Sequence, residues 1–99
     1  MSDVTFEWDR GKAVENVRKH GVAFDEAVTA FEDPNGVIWP DPEHSIGEER
    51  LLLLARSEDH HLLMVVHCER GDGLRIRLIS ARRATYRELM RYLSANDDR

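Results

Sequence analysis

The sequence predicts an α+β fold, in which two N-terminal helices and a C-terminal helix pack on one side of an antiparallel β-sheet. Three observations indicate this class: helix signals come first, a run of short strands follows, and a capped helical pattern ends the chain. Tight turns between consecutive strands favour a meander, in which neighbours in sequence pair. The predicted order is β-α-α-β-β-β-β-α, in a single domain over residues 1–99.

The N-terminal elements are a short strand and two helices. Alternating side chains predict the strand over residues 4–8. Asp9 suits the start of a helix over residues 10–20, and Gly21 suits the position after its end. A second helix is predicted over residues 25–32, because apolar side chains recur there at helical spacing. These side chains are Phe24, Ala27, Val28 and Phe31.

The middle of the chain contains strands and polar turns. The sequence Asp-Pro-Asn-Gly at 33–36 ends the helical region, and a brief strand over 37–39 follows. Residues 41–49 are polar and rich in turn formers, which predicts a loop. Two apolar runs then predict strands over residues 50–56 and 62–69, joined by a turn.

The densest group of arginines comes last. A strand is predicted over residues 75–80, because charged and apolar side chains alternate from Arg75 to Leu78. The alternation breaks near residues 80–84, where Arg82 and Arg83 are adjacent. We therefore expect these two arginines at a corner that leads from the strand into the last helix.

The last helix is predicted over residues 85–94. Thr85 is a good N-cap, and Glu88 three residues later completes a capping box. Its apolar side chains share one face, while the remaining arginines form a charged ridge. The apolar set is Tyr86, Leu89, Met90 and Leu93.

Composition favours a soluble globular protein, since 41% of the residues are hydrophobic and 33% are charged. No apolar run approaches the roughly 18 residues of a membrane span. The N-terminus lacks the basic start and apolar run of a secretion signal, so we expect a cytoplasmic protein without membrane contact. Cys68 is the only cysteine, which excludes an intrachain disulfide, and its apolar neighbours predict a small buried residue.

Charge is unevenly distributed along the chain. The net charge is −5, which argues against a general nucleic-acid-binding protein. However, residues 1–49 contain twelve acidic and four basic residues, whereas residues 70–91 contain seven arginines and two acids. This asymmetry fits a protein that binds a polyanion on one face, and it equally fits a solvated arginine-rich surface.

No motif for a metal or a nucleotide is present. The chain has no P-loop, no Gly-x-Gly-x-x-Gly and no helical His-x-x-x-His pair, so we expect neither a metal nor a cofactor. A polar cluster runs from His44 to Arg50 at the start of a long strand. It can supply a histidine that titrates near neutrality. It can also be an ordinary loop in which Ser45 closes a turn and Arg50 pairs with a glutamate.

The arginines allow a specific chemical hypothesis. A ribonuclease that works without metal needs cations on the phosphorane and groups that take and give protons. Guanidinium groups bind phosphate oxygens in pairs and stay charged at any working pH. Arg77, Arg82 and Arg83 are candidates for this electrostatic role. His44, His20 and Tyr92 are candidates for proton transfer.

Six short sequence blocks follow one another along the chain: FEWD at 6–9, KHGVAF at 19–24, FEDP at 31–34, D-x-x-H-S-x-x-E-x-R at 41–50, RLISARRA at 77–84 and E-x-x-x-Y at 88–92. With these blocks in this order, the chain resembles the BrnT-like toxins, small bacterial proteins of type II toxin–antitoxin systems. One departure is Ala23, which stands where a serine-like cap is common, so the second helix should begin with a weaker cap.

The resemblance implies a RelE-like α+β fold and an endoribonuclease that inhibits translation. It also implies a hetero-oligomer with a ribbon-helix-helix antitoxin, through which any contact with operator DNA would be indirect. The alternative is a non-catalytic protein-binding module, or a degenerate toxin that acts only in operator regulation. Block by block, the resemblance implies catalytic roles for His44, Arg82, Arg83 and Tyr92, and RNA-binding roles for Arg50 and Arg77.

Overall fold

A computed structural model describes residues 3–45 and 47–97. Its element order confirms the predicted α+β class, with one short 3-10 turn added at Pro42–His44. The elements are β1 (Thr5–Glu7), α1 (Arg10–His20), α2 (Phe24–Ala30), β2 (Val37–Pro40), β3 (Leu51–Arg56), β4 (Leu62–Arg70), β5 (Arg75–Arg83) and α3 (Tyr86–Ala95).

The five strands form one sheet in the order β1-β5-β4-β3-β2. Strands β2 to β5 make the predicted antiparallel meander. β1 instead runs parallel to β5, with Thr5 opposite Arg75 and Glu7 opposite Arg77. The prediction of a wholly antiparallel sheet was therefore wrong for β1. A three-residue strand has no pattern that identifies its partner, and the crossover through α1 and α2 permits parallel pairing.

Helices cover both faces of the sheet, so the prediction of helices on one side was also wrong. α1 and α2 cover one face, where Phe24 and Leu53 belong to the main core. α3 covers part of the other face, where Tyr92 packs with Leu54 and Met64. Adjacent residues of β3 and β4 are thus buried on opposite faces, which explains their continuous apolar runs.

A β-bulge explains the break that the sequence shows before the last helix. Val66 pairs with Ser80 but His67 pairs with Leu78, so Ile79 is an extra residue in β5. The extra residue reverses the alternation of inward and outward side chains. The strand therefore continues to Arg83, and the predicted end at residue 80 was wrong.

Side chains fix the positions of α1 and α3. Asn16 on α1 donates to Ala81 O at 2.8 Å and accepts from Ala81 N at 3.0 Å, so it pairs with the edge of β5 beyond the bulge. The predicted capping box of Thr85 and Glu88 is confirmed at the start of α3. Ala23 gives α2 no side-chain cap, as expected. Within the described ranges, no helix is both long and apolar enough to cross a bilayer.

Candidate functional site

In the part of the chain that the structure describes, no helix covers one end of the sheet face that carries α3. α3 lies over the end of this face that contains Leu54 and Met64. At the other end, strand pairing places four charged side chains on the same face, because Arg70 pairs with Arg75 and Glu7 pairs with Arg77. We call this group, which consists of Glu7, Arg70, Arg75 and Arg77, the open face.

The open face brings three guanidinium groups around one carboxylate. Glu7 lies 3.6 Å from Arg70, 3.7 Å from Arg75 and 3.8 Å from Arg77, measured between the nearest Nη1 and Oε atoms. Charge-assisted hydrogen bonds are typically about 2.7–2.9 Å long, so these contacts are loose. The guanidinium groups of Arg75 and Arg77 therefore retain donors for another anion.

The loop over residues 41–49 is attached to this cluster through Glu48. Its carboxylate accepts two bonds from Arg70, at 2.6 Å from Nε and at 3.1 Å from Nη2. These bonds hold the pKa of Glu48 below its usual value. Cys68 is buried nearby, as predicted, and burial together with Glu48 raises the pKa of its thiol. The thiol is thus kept in its uncharged form.

His44 lies in this loop, with its side chain 64% exposed. Its Nδ1 is 2.9 Å from Asp41 Oδ2, which leaves Nε2 for another partner. Ser45 Oγ donates to Asp41 O and accepts from Arg50 N, so the prediction that Ser45 closes a turn is confirmed. Arg50 forms no ion pair among the described residues. The loop therefore holds His44 and Arg50 at the end of the sheet where the open face lies.

Arg82 and Arg83 lie on opposite faces of β5, because they are consecutive residues of a strand. Arg82 donates two bonds to Glu88, at 2.9 and 2.8 Å. This pairing raises the pKa of Arg82 and lowers that of Glu88. Arg83 lies on the α2 side, where its charge helps to lower the pKa of Glu26. The structure thus does not bring the two adjacent arginines to one place.

Tyr92 lies on the buried side of α3, against the sheet, with 5% of its surface exposed. Its hydroxyl donates to Asp33 Oδ2 at 2.7 Å. Burial and this carboxylate raise the pKa of Tyr92. Asp33 also accepts from Arg56 N at 2.8 Å, so the pair joins α3 to the sheet and to the turn after α2.

Of the six predicted site residues, the structure thus places Arg77 in the open face and His44 and Arg50 at the same end of the sheet. Sequence reasoning missed the role of Arg70 and Glu7. The alternation of Arg75 with Arg77 did indicate one shared face, but the approach of Glu7 depends on the parallel pairing of β1. Among the described residues, no group of three or more side chains is arranged to hold a metal ion.

Comparison with known protein families identifies the family of this chain. Residues 8–88 match the family described as "Ribonuclease toxin, BrnT, of type II toxin-antitoxin system". The chain belongs to this family. Membership implies an antitoxin as a partner. The match includes Arg77 and the loop that carries His44, whereas Tyr92 lies beyond it.

One similar solved structure is the crystal structure of the Brucella abortus ribonuclease toxin BrnT at 1.1 Å resolution. It has a TM-score of 0.64 and 20% sequence identity, and the match covers 83% of this chain and 97% of that chain. The two proteins therefore share a fold, and the α+β class predicted from the resemblance to BrnT toxins is confirmed. A comparison with curated protein sequences finds no significant match.

Proposed function

We propose that this BrnT-family toxin is an endoribonuclease that cleaves RNA without a metal ion, inhibits translation and binds its substrate on the open face. One observation carries the proposal: three guanidinium groups surround a single carboxylate at distances of 3.6 to 3.8 Å. Such contacts are weak, and a phosphate diester can take the place of the carboxylate. Arginine binds phosphate oxygens in pairs, which gives this replacement a geometric basis.

Within the open face, Arg77 and Arg75 are the primary phosphate ligands. Arg70 is already bound by Glu48 and orients the loop. Arg50 has no ion-pair partner among the described residues, and it extends the cationic surface toward His44. This division keeps Arg50 and Arg77 in the RNA-binding role expected from the sequence.

The proposed reaction is internal transesterification of RNA. The 2′-oxygen attacks the adjacent phosphorus, the bond from phosphorus to the 5′-oxygen breaks, and the products are a 2′,3′-cyclic phosphate and a 5′-hydroxyl. A base takes the proton from the 2′-hydroxyl and an acid returns one to the 5′-oxygen. His44 is suited to one of these transfers, because Asp41 binds Nδ1 and the other nitrogen is available. Arg77 would stabilise the charge on the phosphorane.

The geometry suggests supporting roles for the other three predicted residues. Arg82 holds the start of α3 through Glu88, and Tyr92 holds the middle of α3 through Asp33. Arg83 lies on the α2 face, away from the open face. We therefore assign the first two to positioning α3 and leave Arg83 outside the reaction.

The antitoxin is proposed to be a ribbon-helix-helix protein that covers the open face. Covering Arg77 would block RNA directly, which is the simplest means of neutralisation. Contact of the complex with operator DNA would then be made by the antitoxin alone. A structure of the pair that leaves Arg75 and Arg77 accessible to solvent would contradict this part of the proposal.

The test is cleavage of a single-stranded RNA by the purified chain in the presence of a chelator. We expect cyclic phosphate termini, no cleavage of a 2′-O-methyl RNA of the same sequence, and growth arrest when the chain is expressed without antitoxin. Cleavage that needs added metal would contradict the mechanism. A folded chain that binds the antitoxin but neither cuts RNA nor arrests growth would instead support a non-catalytic role.

A further inference from the structure

A cleft between α1 and the edge of β5 carries cations that the proposed function does not use. Among the described residues, β1 ends at Glu7, and α1 lies beside the next part of β5. The two elements border an open cleft with a volume of about 180 Å³. Lys12, Lys19 and His20 line it from α1, and Ile79 and Ser80 line it from β5.

The two lysines are the only lysines in the chain, and both line this cleft. Lys12 and Lys19 are seven residues apart, so they lie on one side of α1, about 10.5 Å apart along its axis. Neither forms an ion pair among the described residues. The acid that lines the cleft, Glu15, is already bound by Arg18. The cleft therefore has an excess of positive charge.

The cleft also has a fixed floor. Asn16 donates to Val22 O and Ala81 O, both at 2.8 Å, and accepts from Ala81 N, so its amide is fully used in holding α1 against β5. The bulge at Ile79 widens β5 at this point. These contacts hold the backbone of α1, from which both lysines extend, against β5, and Ser80 contributes a hydroxyl group.

The cleft and the open face are neighbours along β5. Arg77 lies two residues before Ile79 on the same strand, and it is the last residue of β5 that pairs with β1. A strand of RNA bound at Arg77 would need to pass only across this edge to reach Lys19 and Lys12. The cleft has room for a phosphate diester.

We propose that this cleft is a second phosphate-binding subsite for RNA, which holds the backbone of nucleotides beyond the cleaved bond. The proposal rests on the proposed function, because it extends the same RNA path. Ammonium groups bind phosphate as point charges without strict geometry, which suits a strand of any sequence. The cleft therefore contributes to affinity for long RNA and has no part in the chemical step.

The first experiment measures binding of an uncleavable 2′-O-methyl 12-mer at several salt concentrations. The variant pair Lys12→Gln and Lys19→Gln, made together, removes two cations from the cleft. Affinity should fall roughly three- to tenfold. The slope of log affinity against log salt should flatten by about 1.4, since each lost phosphate contact on a single strand contributes about 0.7. With cleavable RNA, KM should rise and kcat should stay the same.

A matched control removes two cations elsewhere. Arg10 and Arg87 are exposed and lie outside both the cleft and the open face. The double variant Arg10→Gln and Arg87→Gln should therefore keep the wild-type salt slope. If both double variants weaken binding equally, the effect is one of net charge and the subsite is refuted.

The second experiment uses the scarcity of lysine. Acetylation of side-chain amines reports on Lys12 and Lys19 alone, and the 12-mer should slow it at both positions. Equal protection by inorganic phosphate would mean a site for the free ion and would overturn the assignment to RNA. Lysine variants that keep RNA affinity but lose the antitoxin would overturn it as well. If the wild-type chain binds no RNA at all, the proposed function itself fails, whereas binding that needs Arg77 but neither lysine refutes only the subsite.

Discussion

Arg77 and Arg82 lie on the same face of the same strand, yet they have different environments. Arg82 lies under the start of α3 and donates two bonds of 2.8 and 2.9 Å to Glu88. Among the described residues, no helix covers the sheet at Arg77, and the nearest carboxylate, that of Glu7, is 3.8 Å away. The hydrogen bonds of Arg82 thus hold the fold together, whereas the guanidinium group of Arg77 is available to a ligand. Arginine content alone thus does not identify a binding site.

The bulge at Ile79 makes this comparison possible. The two arginines are five positions apart, so a regular strand would place them on opposite faces. The extra residue reverses the alternation, and both then lie on the α3 face. In the same way, Arg83 is moved to the α2 face. A single inserted residue therefore decides which arginines lie together.

The largest effect, on the rate of RNA cleavage, is expected when Arg77 is replaced. Arg77→Gln should lower the rate of RNA cleavage by about 10²- to 10³-fold, the usual result of losing one group that stabilises transition-state charge. Its contacts with the protein are loose, so the free energy of unfolding should change little. Cleavage assays and urea denaturation check the two parts. A variant that cleaves RNA normally would remove the distinction between the two arginines.

Acid should lower the free energy of unfolding through the buried His67, and it should leave the arginines of the open face charged. His67 is fully buried against Phe31, and burial lowers its pKa from 6.5 to about 4. Between these values the unfolded chain binds a proton that the folded chain does not, so the free energy of unfolding falls as the pH falls. The loss should reach about 3 kcal/mol by pH 4.

The matched variants for this prediction are His67→Leu and His20→Gln. Replacing the buried histidine should remove most of the acid sensitivity between pH 6.5 and 4. The control variant His20→Gln should keep the pH profile of the wild type. The pKa values of Glu26, Asp33 and Glu88 are also lowered, so a smaller loss at more acidic pH should remain in both variants. Urea denaturation at several pH values measures the free energy of unfolding of each variant. Identical pH profiles for His67→Leu and the wild type would contradict the assignment.

A smaller effect, on stability rather than on activity, is expected when Arg82 is replaced. Arg82→Gln leaves Glu88 without its cation but still bonded to Thr85 N, so unfolding should become easier by about 1–2 kcal/mol. Activity per folded molecule should remain at the wild-type level. Arg87→Gln, an exposed arginine on α3, is the control and should unfold like the wild type. A loss of activity larger than the loss of folded protein would return Arg82 to the catalytic role expected from sequence.

The smallest effect is expected at Tyr92. Tyr92→Phe removes the bond to Asp33, which keeps its bonds from Arg56 N and Asn35 N. The free energy of unfolding should fall by about 1 kcal/mol. The pH dependence of cleavage should be unchanged, because the proposed mechanism gives the phenol no part in proton transfer. If the variant keeps the stability of the wild type but its pH profile of cleavage shifts, Tyr92 does take part in proton transfer.

Much of the fold was predictable because local signals agree with it. The caps at Asp9 and Thr85 and the Asp-Pro-Asn-Gly turn at 33–36 are set by neighbouring residues, and all were located correctly. The pairing of β1 and the position of α3 depend on contacts distant in sequence, so no local pattern shows them. The bulge was visible only as a break in alternation, which has the same appearance as the end of a strand.

The candidate site was harder to predict for the same reason. Arg77 and Arg75 were identifiable from their spacing, but Glu7 joins them only through β1. Arg82, Arg83 and Tyr92 were chosen for their side-chain chemistry, and burial and ion pairing decide their use. Sequence shows which groups are available for chemistry, and tertiary contacts show which of them are already bound.

The most direct test of the open face follows the arginine side chains themselves. The Nε–H signals of arginine can be observed by NMR in the isotopically labelled protein while the 2′-O-methyl RNA is added. We expect the signals of Arg75 and Arg77 to shift with RNA concentration and the signal of Arg82 to stay in place. Shifts at Arg82 and Arg83, with none at Arg77, would contradict the assignment of the RNA site to the open face.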